Sequence, residues 1–152
     1  MPTQIPERVC VEWHLNFVAE IRNGVVERSY FTERDVEETI FSEFSEELVK
    51  RLRRYFKGRE VDFRDVPVTY PTDFSGRVLE IVRGISFGKV RSYFDIANEV
   101  KTSPRAVGVA MKMNRVPVIV PCHRVVARNG IGGYSCGVGV KRMLLELEGV
   151  KM

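Results

Sequence analysis

The segment of the sequence best equipped for chemistry is a thiol beside an imidazole, Cys122-His123, at the end of the apolar run Val116-Pro117-Val118-Ile119-Val120-Pro121. A thiol is a strong nucleophile only as thiolate, and an imidazole within reach can take its proton. Consecutive residues of an extended chain point to opposite sides. Pairing Cys122 with His123 therefore requires a turn, which Pro121 suggests, or a bridging water. Set against this, a cysteine that follows an apolar run is more often a small buried hydrophobe. The remaining candidates are few: Cys10, Cys136 and His14. An odd number of cysteines without Cys-x-x-Cys spacing is poor material for a disulfide framework or a zinc site, so no metal is expected.

Those groups need elements to position them. With 152 residues, 44% of them hydrophobic, the chain can close one ordinary core or two small cores packed together. Residues 9 to 22 are rich in β-branched and aromatic types, and Asn23-Gly24 then leads into Val25, Val26, Tyr30 and Phe31. That pattern predicts a hairpin around a type I′ turn. Between Ser45 and Gly58, Leu48, Leu52 and Tyr55 or Phe56 recur at helical spacing, with Glu46 and Glu47 early and basic residues late. The stretch from Val61 to Tyr70 alternates poorly, contains Pro67 and is followed by Pro71, which sets a boundary between an N-terminal region, residues 1–70, and a C-terminal region, residues 71–152.

The C-terminal region predicts helices with short connections. Asp73 or Thr72 caps the first, with Phe74, Val78, Ile81 and Val82 as its apolar face. Phe87-Gly88-Lys89 is a turn, and Ser92 with Asp95 is a loose capping box for a helix to about Val100. Ser103-Pro104 opens another, so residues 104–113 become the second member of a helix-turn-helix. On it Arg105, Gly108 and Lys112 share one side, while Val107 and Met111 share another that suits a core. Gly108 in mid-helix costs ~1 kcal/mol relative to Ala. Close approach of another backbone, protein or DNA, would explain it, and so would tight helix packing.

Charge divides along the same boundary. Residues 1–70 hold 11 Lys+Arg against 14 Asp+Glu, net −3, and residues 71–152 hold 13 against 6, net +7. A basic C-terminal region suits a polyanion partner, although a solvated basic surface is the commoner origin of such an excess. No apolar run approaches the ~18 residues needed to span a bilayer, and no signal-peptide pattern opens the chain. A cytoplasmic or nucleoid-associated protein without a membrane partner is expected.

Pro121-Cys122-His123-Arg124-Val125 resembles the active-site signature of the O6-alkylguanine-DNA alkyltransferases. Arg105-Ala106-Val107-Gly108, Asn114 with Val116-Pro117, Gly133-Tyr134-Ser135 and Leu144-Leu145-Glu146-Leu147-Glu148-Gly149 match that family in order and spacing. The resemblance covers about Thr72 to Gly149. The N-terminal region resembles the family only in size, hairpin and late helix. An α+β chain is implied, with a small ribonuclease H-like α/β domain at residues 1–70 and a helical, winged-helix-like domain with a helix-turn-helix at residues 71–152.

The resemblance also implies a reaction. Cys122 attacks the alkyl carbon of O6-alkylguanine in double-stranded DNA, and its proton leaves through a water to His123, oriented by Glu148. A carboxylate in the last turn of a helix opposes the macrodipole, and a partner such as His123 would offset that. Tyr93 and the Ser135 backbone N–H meet the charge on the leaving guanine, and Tyr134 and the Val125 carbonyl help to form the base pocket. Asn114 links the helix-turn-helix to the active-site turn. Arg105, Ala106, Gly108 and Lys112 lie on the DNA-binding helix, with Arg105 filling the space of a rotated-out nucleotide. No cofactor is required, a monomer is expected, and O4-alkylthymine stays open as a second substrate. The competing readings are a lesion-binding protein without transfer, a helix-turn-helix regulator, and a thiol hydrolase that turns over repeatedly.

Overall fold

The computed structural model describes residues 5–152. Strands β1 (Glu7–Val11), β2 (Asn16–Arg22) and β3 (Val25–Thr32) form one antiparallel sheet in chain order. Asn23 and Gly24 close β2 on β3 with φ of 54° and 74°. Two left-handed residues in succession make the type I′ turn, which Asn and Gly adopt at the least steric cost.

Helix α1 (Glu43–Tyr55) starts earlier than the expected Ser45, because its cap is Ser42, whose hydroxyl accepts from the Ser45 N–H. The start is reinforced from a distance. Glu7 on β1 accepts from the backbone N–H groups of Phe41 and Ser42 and from the Ser42 hydroxyl, each at 2.8 Å. Leu48, Val49, Leu52 and Tyr55 face inward, and Gly58, at φ 85°, ends the element. The segment 61–70 runs along the sheet edge, where the Val26 N–H donates to the Pro67 carbonyl at 2.9 Å. Phe63 and Val66 are buried, and buried Arg83 donates to both of their carbonyls.

In the C-terminal region, α2 (Asp73–Arg83) is capped by Thr72 with Ser75 reciprocating. Its buried face is Val78, Leu79 and Val82, a correction to the expected one. Phe74 and Ile81 are only partly buried, and Ile81 lines an open groove with Tyr70 and Val100. The short strand β4 (Arg91–Ser92) pairs in parallel with β5 (Val125–Val126). The expected helix-turn-helix is α3 (Tyr93–Val100), capped by Ser92 and Asp95, followed by a turn with Lys101 in the left-handed region and α4 (Pro104–Lys112), capped by Ser103. Helix α5 (Val138–Leu147) closes the fold. No helix among the described residues is long and apolar enough to cross a membrane.

One buried apolar cluster runs through both regions, from Val9, Phe17 and Leu52 to Val78, Ile96, Val107 and Leu144. Ser29 on β3 adds polar ties, its N–H to the Arg115 carbonyl at 2.9 Å and its hydroxyl to the Pro117 carbonyl at 2.8 Å. Because the core is shared, denaturant unfolding followed by Trp13 fluorescence, in the N-terminal region, and by helical circular dichroism is expected to give one coincident transition. Two separated midpoints would show that the regions are energetically independent.

Candidate active site

The chain turns sharply before the thiol. Val118 has φ 75°, unusual for a β-branched residue, and the fold-back lets the Val120 N–H reach the Val116 carbonyl at 2.9 Å. Cys122, His123 and Arg124 then form a single 3-10 turn, which supplies the turn that Pro121 suggested. It directs the neighbours apart: Cys122 borders a cavity, and His123 is fully buried behind it. Asn114, just past the Met113 C-cap, fixes this turn to α4. Its amide donates to the Val120 carbonyl at 3.0 Å and to Cys122 Sγ at 3.1 Å, while its oxygen accepts from the Val116 N–H at 3.0 Å.

Behind the thiol, Glu148 accepts five hydrogen bonds. Oε1 receives Arg124 Nε at 2.8 Å and the Gly88 N–H at 3.0 Å. Oε2 receives His123 Nε2 at 2.7 Å, Arg124 Nη2 at 3.0 Å and the Tyr55 hydroxyl at 2.5 Å. Burial alone would raise the Glu148 pKa, but His123 and Arg124 outweigh it and hold the carboxyl far below its usual range. An ionised carboxylate only accepts, so the His123 proton sits on Nε2 and the lone pair on Nδ1. Nδ1 is buried and has no hydrogen-bond partner among the described residues. Burial lowers the His123 pKa despite Glu148, which keeps the ring neutral and able to accept a proton.

The thiol is not an anion at rest. Burial pushes Cys122 up to about 11, against the Asn114 hydrogen bond and the charge of Lys141, which pull it down. Deprotonation must therefore accompany reaction, which requires a base nearby. The cavity over the thiol measures about 670 Å³ and is lined by Tyr93, Arg105, Gly108, Lys112, Tyr134 and Ser135 among others. Its polar groups come from α3, α4 and the loop 130–137. Gly132 in that loop is held at φ 77°, and a Cβ there would lie 2.9 Å from Tyr93 Cε2. The Tyr93 hydroxyl donates to the Gly133 carbonyl at 3.3 Å.

Residues 73–150 match the model of a family described as 6-O-methylguanine DNA methyltransferase, DNA binding domain. The chain belongs to the 6-O-methylguanine DNA methyltransferase family. The methylated-DNA–protein-cysteine methyltransferase of Metallosphaera sedula is 54% identical over 103 residues, 67% of this chain and 66% of that protein. The one from Archaeoglobus fulgidus is 44% identical over 147 residues, 92% of this chain and 97% of that protein. Among solved structures, Mycobacterium tuberculosis OGT in complex with DNA superposes with a TM-score of 0.78 at 30% identity, over 93% of this chain and 92% of that one.

The methyltransferase fold brings Cys122, His123, Glu148 and Asn114 together, and places Tyr93, Arg105, Gly108, Lys112, Tyr134 and Ser135 around one cavity. Ala106 and Val125 are not in its lining. Val125 is fully buried, and its carbonyl accepts from Lys141 Nζ at 2.7 Å. Three participants escape sequence reasoning: Tyr55 on α1, the role of Arg124, and Lys141, which also donates to the Gly133 carbonyl at 2.9 Å. Lys141 does leave a trace, since it shares the α5 face of Leu144, Leu145 and Glu148. Tyr55 leaves none beyond its apolar spacing.

Replacing Glu148 by Gln strands the buried Arg124 charge and is expected to lower unfolding free energy by about 3–5 kcal/mol near neutrality. The folded-state pKa of Glu148 is depressed, so its contribution is complete above the ordinary carboxylate value and is lost as pH falls toward the folded one. The gap between wild type and Glu148→Gln should therefore narrow in acid. Denaturant titrations at neutral and acid pH measure it, and a constant gap would contradict the assignment.

Proposed function

We propose that this protein repairs O6-alkylguanine in duplex DNA by moving the alkyl group onto Cys122, once per molecule. The observation that carries this reading is a protonated thiol bordering a cavity between the helix-turn-helix and the loop 130–137, backed by a neutral imidazole held on a carboxylate. In the reaction, Cys122 Sγ bonds to the alkyl carbon as the carbon–O6 bond breaks, and the electron pair departs with guanine. The thiol proton passes by a water to His123 Nδ1. The Tyr93 hydroxyl, exchanging its long bond to Gly133, and the Ser135 N–H meet the charge developing on the base. A thioether is not hydrolysed, so the protein is consumed, unlike a thiol hydrolase. A protein that only recognises the lesion would not need this thiol.

DNA as partner is supported by the Mycobacterium tuberculosis relative, whose structure contains it, and by the basic C-terminal region. The target base lies inside the stack, so the nucleotide must rotate out, which costs a few kcal/mol. We assign α4 to the minor groove, with Arg105 filling the vacated space, Lys112 toward phosphate and Ala106 at the contact. Among the described residues, a Cβ on Gly108 would meet nothing within 4 Å outside its own helix backbone. Packing within the protein therefore does not call for glycine, and close approach of the DNA backbone does. In this reading residues 71–152 bind and react, residues 1–70 support them, and a cytoplasmic or nucleoid-associated monomer suffices.

After incubation with an O6-methylguanine duplex, peptide mass spectrometry is expected to find one methyl group per chain, on Cys122. Label on Cys10 or Cys136 would overturn the mechanism.

Arg105→Ala is expected to slow transfer from saturating duplex at least tenfold while leaving transfer from a free O6-alkylated guanine base nearly normal, because the free base needs no unstacking. Single-turnover rates on both substrates decide it. Equal slowing would mean damage around the thiol, and a loss confined to DNA affinity would make Arg105 a phosphate contact.

A further inference from the structure

Tyr55 reaches the reaction centre from α1, in the N-terminal region. It is the last residue of α1, completely buried, with its ring against Phe56, Phe63 and Phe87 at centroid distances of 5.1, 5.9 and 6.0 Å. Its hydroxyl lies 2.5 Å from Glu148 Oε2 and 3.3 Å from His123 Nε2. Burial and the adjacent Glu148 charge both push its pKa well above the ordinary value, so it remains a donor at every working pH.

We infer that Tyr55 is a positioning residue for alkyl transfer: by sharing Glu148 Oε2 with the imidazole, its hydroxyl keeps His123 neutral until the thiol proton arrives. The inference rests on the reading of His123 as proton acceptor. Oε2 takes three donors, His123, Tyr55 and Arg124, whereas a carboxylate oxygen offers about two lone pairs. The three compete. Each hydrogen bond to the carboxylate reduces its hold on a proton beside it.

The other charges around His123 give that competition its importance. Burial disfavours an imidazolium most, Arg124 from its own turn and Lys141 from α5 add to that, and among the described residues Glu148 is the main group that favours one. The Cys122 thiol precedes the ring in sequence, and the Tyr134 ring packs near it at 6.5 Å. Removing the Tyr55 hydroxyl therefore strengthens the main group that draws a proton onto His123. The ring would then carry a proton over more of the neutral range and accept none from Cys122.

The chain has two histidines, so an NMR titration of the intact protein can follow His123, assigned by its loss in a His123→Gln control. In Tyr55→Phe the His123 midpoint is expected to rise by roughly half a unit to one unit, the range a single hydrogen bond commands. The acid limb of the single-turnover alkylation profile should move up by the same amount, and the deficit should shrink as pH rises. Should the Phe variant fail to fold, 3-fluorotyrosine at position 55, a stronger donor, is expected to lower the midpoint instead. An unmoved His123 midpoint with uniform slowing at every pH would reduce Tyr55 to packing and overturn the inference. A shifted midpoint without any histidine limb in the rate profile would overturn His123 as acceptor, and the role of Tyr55 in transfer with it. Methyl label away from Cys122 would instead sink the proposed function by itself.

Discussion

Glu148 is a carboxylate with a fully buried side chain, and a buried charge is tolerable only where the surroundings supply what water would have supplied. Here the supply comes from several places in the chain: α1 through Tyr55, the turn after α2 through the Gly88 N–H, and the active-site turn through His123 and Arg124, all meeting the residue that caps α5. None of these partners can shift without leaving the charge under-solvated. The network therefore fixes the imidazole, and through the 3-10 turn the thiol, more firmly than apolar packing alone would. Arg124 makes the arrangement possible, since its guanidinium spans both carboxylate oxygens while a third nitrogen donates to the Ile85 carbonyl at 2.7 Å.

Burying the thiol has two opposing effects. A low-dielectric setting discourages the anion and makes Cys122 inert at rest, which protects it from adventitious oxidation or metal capture. The same setting strengthens every electrostatic interaction available once reaction begins. Asn114 and Lys141 moderate the penalty, one by a hydrogen bond to sulfur and the other by charge. Lys141 does so at a cost to itself, its own pKa being drawn down to about 8 by burial. The result is a nucleophile that depends on its neighbours to act.

Local signals were legible in the sequence wherever one residue type enforces one geometry. Asn23-Gly24 specified its turn, Ser92 with Asp95 and Ser103 with Pro104 specified helix starts, and Pro121 suggested the turn at Cys122-His123, while leaving open the bridging water that the divergence of the two side chains calls for. What could not be read depends on distant partners. The start of α1 moved because Glu7, on another element, holds Phe41 and Ser42. The apolar face of α2 rotated because a half-buried residue such as Ile81 looks the same in sequence as a core one. Gly108 was ambiguous between packing and an outside partner until the space around it could be measured. Within the site, Tyr55 was invisible because its spacing on α1 is that of any core aromatic, and only the fold reveals that its hydroxyl ends on a carboxylate.

That meeting of Tyr55 and Glu148 joins residues separated by 93 positions, while His123 and Glu148 lie 25 apart. Contacts of long sequence separation form late, because the loop between them must close before any interaction compensates for the lost entropy. During folding the thiol is thus present in a collapsing chain well before its base is aligned. Competence requires Glu148, at the end of the C-terminal helix, to have met both Tyr55 and His123. An incompletely folded chain then carries a cysteine without its aligned base and without the cavity beside it, so the irreversible step is reserved for molecules that have finished folding.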